Sequence, residues 1–348
     1  MSLIHKARLA AIISLVALLG AGCSLIGGSK SASIDAPPVS ADEMMAGQQA
    51  KAVTAAVSKQ TTLYFEDPQG FMAPISMPLP AADNAVAKRS LEYLVEDGAS
   101  KSMLPQGFRA VLPKGTKVTS LNIKQDKTAV IDFSKEFTSY NPQDERKILE
   151  AITYTLTGFP TIDKVQIWVQ GKALKEMPVA ATPLDEPLTR ALGLNIELGD
   201  GLKNVGQSMP VTVFFHHETL DHFSYYVPVT RMVEKSDNQA QAALAQLIKG
   251  PTAAKGLAPT VASATKVLEL KQTDDKSLVT VNFDDKILNA NKQVSEQAIQ
   301  SVVLTLTENS GATKVQVMVK GDVKVTTTDG KVNSKPVSRP TEINPVKL

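Results

Sequence analysis

The chain repeats itself at a spacing of 150 residues, and this duplication limits its fold more than any other feature. ITYTLT from Ile152 faces VVLTLT from Val302, and KVQIWVQG from Lys164 faces KVQVMVKG from Lys314. Upstream, AVIDFSKEF from Ala129 lies opposite VTVNFDDKI from Val279, TKV from Thr116 opposite TKV from Thr265, and LEYLV from Leu91 opposite LAQLI from Leu244. Downstream, PLTRALGLN from Pro187 faces PVSRPTEIN from Pro336, so the segments that read as a linker and a tail are corresponding parts of one unit. A unit this long is a duplicated domain and not a solenoid turn. The boundaries fall at 61–196 for repeat 1 and 209–345 for repeat 2, with a Gly-containing linker, 197–208, between them.

Apolar periodicity within each repeat predicts ββαββαβ, an α+β unit with two helices packed on one mixed sheet. Leu63, Tyr64 and Phe65, matched by Val213, Phe214 and Phe215, begin it as a strand. The Pro-interrupted stretch Ala73 to Pro80, matched by Tyr225 to Arg231, reads as an edge strand, because proline removes ladder donors. A helix capped by Asp83 follows, with Ala87, Leu91, Leu94 and Val95 on one face and Ala240, Leu244, Leu247 and Ile248 in the partner. A hairpin from Val118 to Phe133 turns at Gln125, Asp126 and Lys127. The second helix starts at Asn141 and Pro142, with Asp144 and Glu145 where the helix dipole favours acids. Its apolar face is Ile148, Leu149, Ile152 and Leu156, mirrored by Ala298, Ile299, Val302 and Leu306. Val165, Ile167 and Val169, with Val315, Val317 and Val319 opposite, alternate as a closing strand.

Residues 1–22 precede these units as an export leader: basic Lys6 and Arg8, an apolar run from Leu9 to Leu19, and small residues before Cys23. The run is shorter than the roughly 20 residues that span a bilayer. Gly20, Ala21, Gly22 and Cys23 resemble the bacterial lipobox, with Leu19 one place earlier than usual, which implies cleavage before Cys23 and attachment of diacylglycerol to its sulfur. Residues 23–60 read as the lipidated N-terminus and a Ser-, Ala- and Pro-containing tether, of which Asp42 to Val57 could form a helix. The expected location is the extracytoplasmic face of the cell membrane.

Candidate chemistry is sparse. The whole chain has 37 Lys and Arg against 35 Asp and Glu, and the leader holds two of the bases, so the mature protein is near neutral. That argues against a nucleic-acid surface, which needs a concentrated basic stripe. Cys23 is the only cysteine, so no intrachain disulfide forms and no thiol nucleophile remains once it is acylated. His216, His217, Glu218, Asp221 and His222 offer metal-ligand types at irregular spacing. Neighbours on a strand point to opposite faces, so His216 and His217 do not converge, and the expectation is a polar loop with no metal. Asp132 could be a catalytic acid, but its counterpart is Asn282; Asp284 reads as a turn residue. Arg190 and Arg339 occupy the shared terminal motif, each expected to clamp its own repeat in preference to contacting a partner. No catalytic residue and no cofactor is expected.

The lipobox, the tandem repeats, YYVPVTR from Tyr225 and SRPTEIN from Ser338 together resemble the GerM family of sporulation and spore germination lipoproteins, built from two GerMN domains. The resemblance covers nearly all of the mature chain. Repeat 1 departs from it at Met77 to Ala81, where MPLPA stands for VPVTR. The family implies a non-enzymatic lipoprotein on the mother-cell membrane, a structural assembly factor of the channel complex joining mother cell and forespore. Its implied partners are channel proteins and a homo- or hetero-oligomeric ring. The alternative is a protein that binds or assists peptidoglycan in cortex or wall.

Overall fold

The structure, a computed structural model, describes residues 59–80, 85–199, 202, 205–252 and 256–346. The leader, Cys23, the segment expected as a helix at 42–57 and the expected cap Asp83 lie outside the described residues.

Repeat 1 runs β1 (Lys59–Glu66), β2 (Met72–Leu79), α1 (Val86–Tyr93), β3 (Val118–Ile123), β4 (Thr128–Phe133), α2 (Glu145–Leu156), β5 (Lys164–Val169) and β6 (Lys172–Ala173). The short strand β7 (Glu197–Leu198) leads into repeat 2: β8 (Ser208–Glu218), β9 (Ser224–Glu234), α3 (Gln239–Lys249), β10 (Val267–Gln272), β11 (Leu278–Phe283), α4 (Glu296–Ser310) and β12 (Lys314–Val319). Three two-residue strands follow, β13 (Val325–Thr326), β14 (Val332–Asn333) and β15 (Val337–Ser338). The α+β class and the ββαββαβ order are those expected.

One expectation changes: the strands of a repeat do not form a single sheet. β1 and β2 make a separate antiparallel hairpin, while the mixed sheet runs β3-β4-β5-β6, with β4 and β5 parallel around α2. Repeat 2 copies this as β8 with β9, joined by β7, and as β10-β11-β12-β15. A parallel pair needs a long crossover, which α2 and α4 supply.

The helices form for the reasons read from the sequence. Ile148, Leu149, Ile152 and Leu156 are all buried in α2, and Ala298, Ile299, Val302 and Leu306 in α4, so period outweighs the strand preference of Val and Thr. The turn from Asn141 is one 3-10 turn, Pro142–Asp144, before α2 begins at Glu145. In α4 the Ser295 hydroxyl accepts the Ala298 N–H, and Gly311 in the left-handed region closes the last turn. α1 is shorter than predicted: Leu94 and Val95 stay buried beyond its end. The hairpin turns where expected, with Lys127 at φ 60 and the Asp126 carboxylate accepting the Thr128 N–H at 3.2 Å.

Among the described residues the main apolar core runs through both repeats, joining Ile75, Met77 and Phe65 of repeat 1 to Val227, Val229 and Phe215 of repeat 2. The register corrects the alignment of the VPVTR motif. Tyr64 faces Pro74 and its counterpart Phe214 faces Pro228, so Val227–Arg231 corresponds to 73–77 and not to 77–81. Arg231 therefore stands where repeat 1 has Met77.

Candidate functional site

The residues singled out in the sequence separate into those the fold scatters and those it brings together. The histidines are scattered. His216 faces Tyr226 with ring centres 5.7 Å apart, and burial holds its pKa below the usual imidazole value. His217, on the other side of β8, packs edge-on to Tyr225 and places Nδ1 2.9 Å from the Gly256 carbonyl oxygen. His222 sits in the turn at φ 63, with Nδ1 2.7 Å from Glu218 Oε1, and the Thr219 hydroxyl donates to Asp221. Among the described residues no group of three or more His, Cys, Asp or Glu is placed to hold a metal ion.

The hairpin carboxylate has a backbone partner. Asp132 Oδ1 accepts the Gly171 N–H at 2.9 Å, and Asn282 Oδ1 accepts the Gly321 N–H at 2.9 Å. The glycines have φ 76 and 82, the left-handed backbone that lets the chain reverse after β5 and β12. Acid and amide serve this bond equally, which explains the exchange between repeats. Asp284 caps its 3-10 turn, accepting the Lys286 N–H at 3.2 Å and the Lys266 N–H at 3.0 Å.

The terminal motifs converge on the junction between the repeats. Arg339 binds within its own repeat: Nη1 donates to the Leu304 carbonyl at 3.0 Å and to the Thr307 hydroxyl at 2.7 Å, and Nη2 donates to Glu308 at 2.6 Å. Arg190 does more than expected. Its Nε donates to Thr157 of its own repeat at 3.1 Å, while Nη1 crosses to the same Glu308 at 2.8 Å. Corresponding arginines thus meet on one carboxylate whose counterpart in repeat 1 is Gly158. Burial raises the Glu308 pKa, but the two guanidinium groups outweigh it and hold the carboxyl below the ordinary range.

The ends of the motifs are exchanged. Leu194 of repeat 1 lies against Thr230 of β9: the Thr230 N–H donates to the Leu194 carbonyl at 2.8 Å, and the Leu194 N–H to the Thr230 hydroxyl at 2.9 Å. Ile343 of repeat 2 does the same on Ser76 of β2, at 2.9 and 2.8 Å. Asn195 accepts the Met72 N–H at 2.8 Å and donates to the carbonyls of Met72 at 2.8 Å and Pro228 at 2.7 Å. Asn344 accepts the Tyr226 N–H at 2.8 Å and donates to the carbonyls of Tyr226 at 2.9 Å and Pro74 at 2.7 Å. The two asparagines stitch β2 to β9 through a pseudo-twofold, and β2, expected as an open edge, has its outer side taken by the other repeat's tail.

Two further contacts have no symmetric partner; the first crosses the junction, and the second ties the linker to repeat 2. Tyr225 donates to Asp67 Oδ2 at 2.9 Å inside a cluster with Phe108 and Phe223, and burial raises the Asp67 pKa. Arg231, 3% exposed, donates through Nε to Glu197 at 3.2 Å and through Nη1 to the Gly250 carbonyl at 2.9 Å, over the Phe215 ring. Beside this junction a cavity of about 760 Å³ is lined by Met103, Leu104, Phe223, Pro345 and Val346, among others. Sequence reading missed Glu308 because its counterpart is glycine. The two asparagines carried a usable signal: each ends its copy of the terminal motif.

The arrangement is a doubled module locked by its own tails. The family described as Germane, sporulation and spore germination, matches residues 62–175 and 212–325, one span in each repeat. The chain belongs to the Germane family. Spore germination protein GerM of Bacillus subtilis (strain 168) is 38% identical over 300 residues, 85% of this chain and 81% of that one. The solved tandem GerMN domains of the sporulation protein GerM from Bacillus subtilis superpose with a TM-score of 0.77 at 38% identity, over 83% of this chain and 100% of that one. This Germane chain is thus a sporulation and germination protein with tandem GerMN domains, in a family that is not a known enzyme class.

Proposed function

We propose that this Germane protein is a non-enzymatic lipoprotein, held by acylated Cys23 on the extracytoplasmic face of the cell membrane. There it acts as a structural assembly factor of the channel complex between mother cell and forespore. The observation that carries this reading is the junction. Arg190, Glu308, Arg339, Asn195 and Asn344 hold two sheet-and-helix modules in one fixed relation, which suits a part whose task is to present surfaces. Each module also ends its mixed sheet in an outer strand, β3 or β10, whose side chains are exposed or half-buried apart from buried Val118. Channel proteins, and a homo- or hetero-oligomeric ring, are the partners this surface would serve.

The deciding experiment is crosslinking with mass spectrometry in sporulating cells, with Cys23 intact and as Cys23→Ala. Capture of channel proteins that depends on Cys23 supports the proposal; capture of none refutes it. A second reading, binding to peptidoglycan, is supported by a polar cavity of about 400 Å³ whose lining includes Asn238, Gln239, Lys271, Gln272 and Asn309. Amides and amines of this kind suit sugar hydroxyls and peptide groups. Salt-resistant retention of the protein on purified cell wall is the outcome that would favour it.

A further inference from the structure

The contacts at the junction join repeat 1 to repeat 2, and the covalent link between the repeats is the segment from Gly199 to Gln207. We propose that the same interface also forms between two chains, so that repeat 1 of each chain docks on repeat 2 of the other in a closed, reciprocal dimer. The partner is a second copy of this chain, and every junction hydrogen bond is kept.

Three observations carry this. First, each repeat is completed in part by a tail that is not its own: Leu194 lies on Thr230 of β9 and Ile343 on Ser76 of β2, while Asn195 and Asn344, bound to their own repeats at Met72 and Tyr226, each add one bond across, to Pro228 and to Pro74. A repeat separated from its neighbour loses the bonds across and leaves Glu308 without Arg190. Such a surface is costly to leave bare and is matched by the complementary repeat of any identical chain. Second, the interface is specified by paired polar groups at fixed register, so it selects this partner over an unrelated apolar surface. Third, the link lies at a place where it can be redirected. The Gly199 N–H bonds Met232 on one side of β9, and the Gln207 carbonyl accepts the Lys235 N–H on the other.

Crossing β9 takes two strand spacings, about 10 Å, and the offset along it is another three residues, about 10 Å, so closure within one chain must span about 14 Å. The natural link has residues enough to cover that distance, and a short tether between two domains gives an effective concentration in the millimolar range. Closure within one chain therefore dominates in dilute solution, and exchange between chains grows as the chain becomes concentrated.

The test shortens the link in the full chain carrying Cys23→Ala. Removing residues 200–204 leaves Val205 and Gly206 between Gly199 and Gln207, three peptide steps of about 3.8 Å, about 11 Å in all, too short to close within one chain. Light scattering after size exclusion is expected to give a folded particle of twice the chain mass, with the junction amides as protected from hydrogen exchange as in the parent. A folded monomer, an open series of larger species, or no folded particle overturns the proposal. Independently, isotopically light and heavy parent chains mixed near millimolar concentration are expected to give mixed dimers by native mass spectrometry, in a fraction that rises with concentration. Persistence of monomers alone at that concentration overturns it as well.

Discussion

Where the two repeats carry the same residue they make the same bond. Thr155 and Thr305 each accept the N–H of the first strand, from Tyr64 and Phe214, at 3.1 Å, and Thr157 and Thr307 each receive the arginine of the terminal motif. Several of their differences are differences of charge: Gly158 against Glu308, Met77 against Arg231, Glu150 against Gln300, Glu66 against His216. The shared positions hold backbone to backbone, a need that duplication preserves in both halves. Among the unshared ones, Glu66, Glu150 and Arg231 find their ionic partners away from the junction, and Glu308 holds a charge that the pseudo-twofold junction has room for once. One carboxylate, Glu308, answers two arginines; a second at the Gly158 position would bring another buried anion to the same site, with the desolvation that entails.

Removing that carboxylate breaks the comparison most. Glu308→Ala leaves Arg190 and Arg339 facing each other, and an expected loss of about 2–4 kcal/mol follows, below the fully buried case because Arg190 keeps about a third of its side-chain exposure. Urea unfolding followed by fluorescence of Trp168 in repeat 1 and by amide exchange in repeat 2 checks it. Both probes should shift together, and separate transitions would mean that the repeats fold independently.

The asparagines sharpen the comparison. Asn344, 6% exposed, and half-buried Asn195 make equivalent bonds, so burial decides between them. Asn344→Ala is expected to cost about 2–3 kcal/mol and Asn195→Ala about 1–2 kcal/mol, since orphaned backbone groups are penalised more where water cannot reach them. Equal losses in denaturant titrations would remove burial as the reason.

Glu150 tests an unshared position in the opposite direction. Burial, opposed by Arg146, pushes its carboxyl up to about 7 from the ordinary 4.5. The folded protein then binds this proton more tightly than the unfolded chain, so this group's contribution to stability falls as pH rises from 4.5 to about 7 and stays low above that. Glu150→Gln, the residue repeat 2 has at Gln300, is expected to stabilise the protein at pH 8 by about 1 kcal/mol, after the lost Arg146 pair is set against the relief. Melting temperatures at pH 5 and pH 8 read it: the variant's gain should be confined to the higher pH. The smallest effect is expected for Asp132→Asn, below about 0.5 kcal/mol, because Asn282 already makes the same bond to Gly321. A complementation assay in sporulating cells should show no defect, and a sporulation failure without loss of stability would reopen Asp132 as a functional acid.

Much of each repeat was legible because it rests on local pattern. In the closing strands Val165, Ile167 and Val169, and Val315, Val317 and Val319, are buried in the alternation predicted, and the apolar faces of α2 and α4 follow from spacing alone. The same local logic misjudged β2. Pro74 and Pro78 mark a strand with missing donors, but whether such a strand borders water or another chain segment depends on residues about 270 positions away, such as Asn344, whose Nδ2 donates to the Pro74 carbonyl. Arg190 shows the same limit. Its recurrence at Arg339 signals a structural task, but which carboxylate it meets depends on how the repeats dock.

Sequence by itself determined the duplication, the order ββαββαβ, the helix faces and the family, because strand and helix periods and short capping bonds involve neighbours along the chain. Tertiary structure alone decided that the sheet of each repeat is divided in two and that each tail completes the other repeat. It also decided that two equivalent arginines share one glutamate. The physical reason is that buried polar groups must find partners wherever packing brings them, and a duplicated sequence carries the same donors twice without stating which copy will answer them.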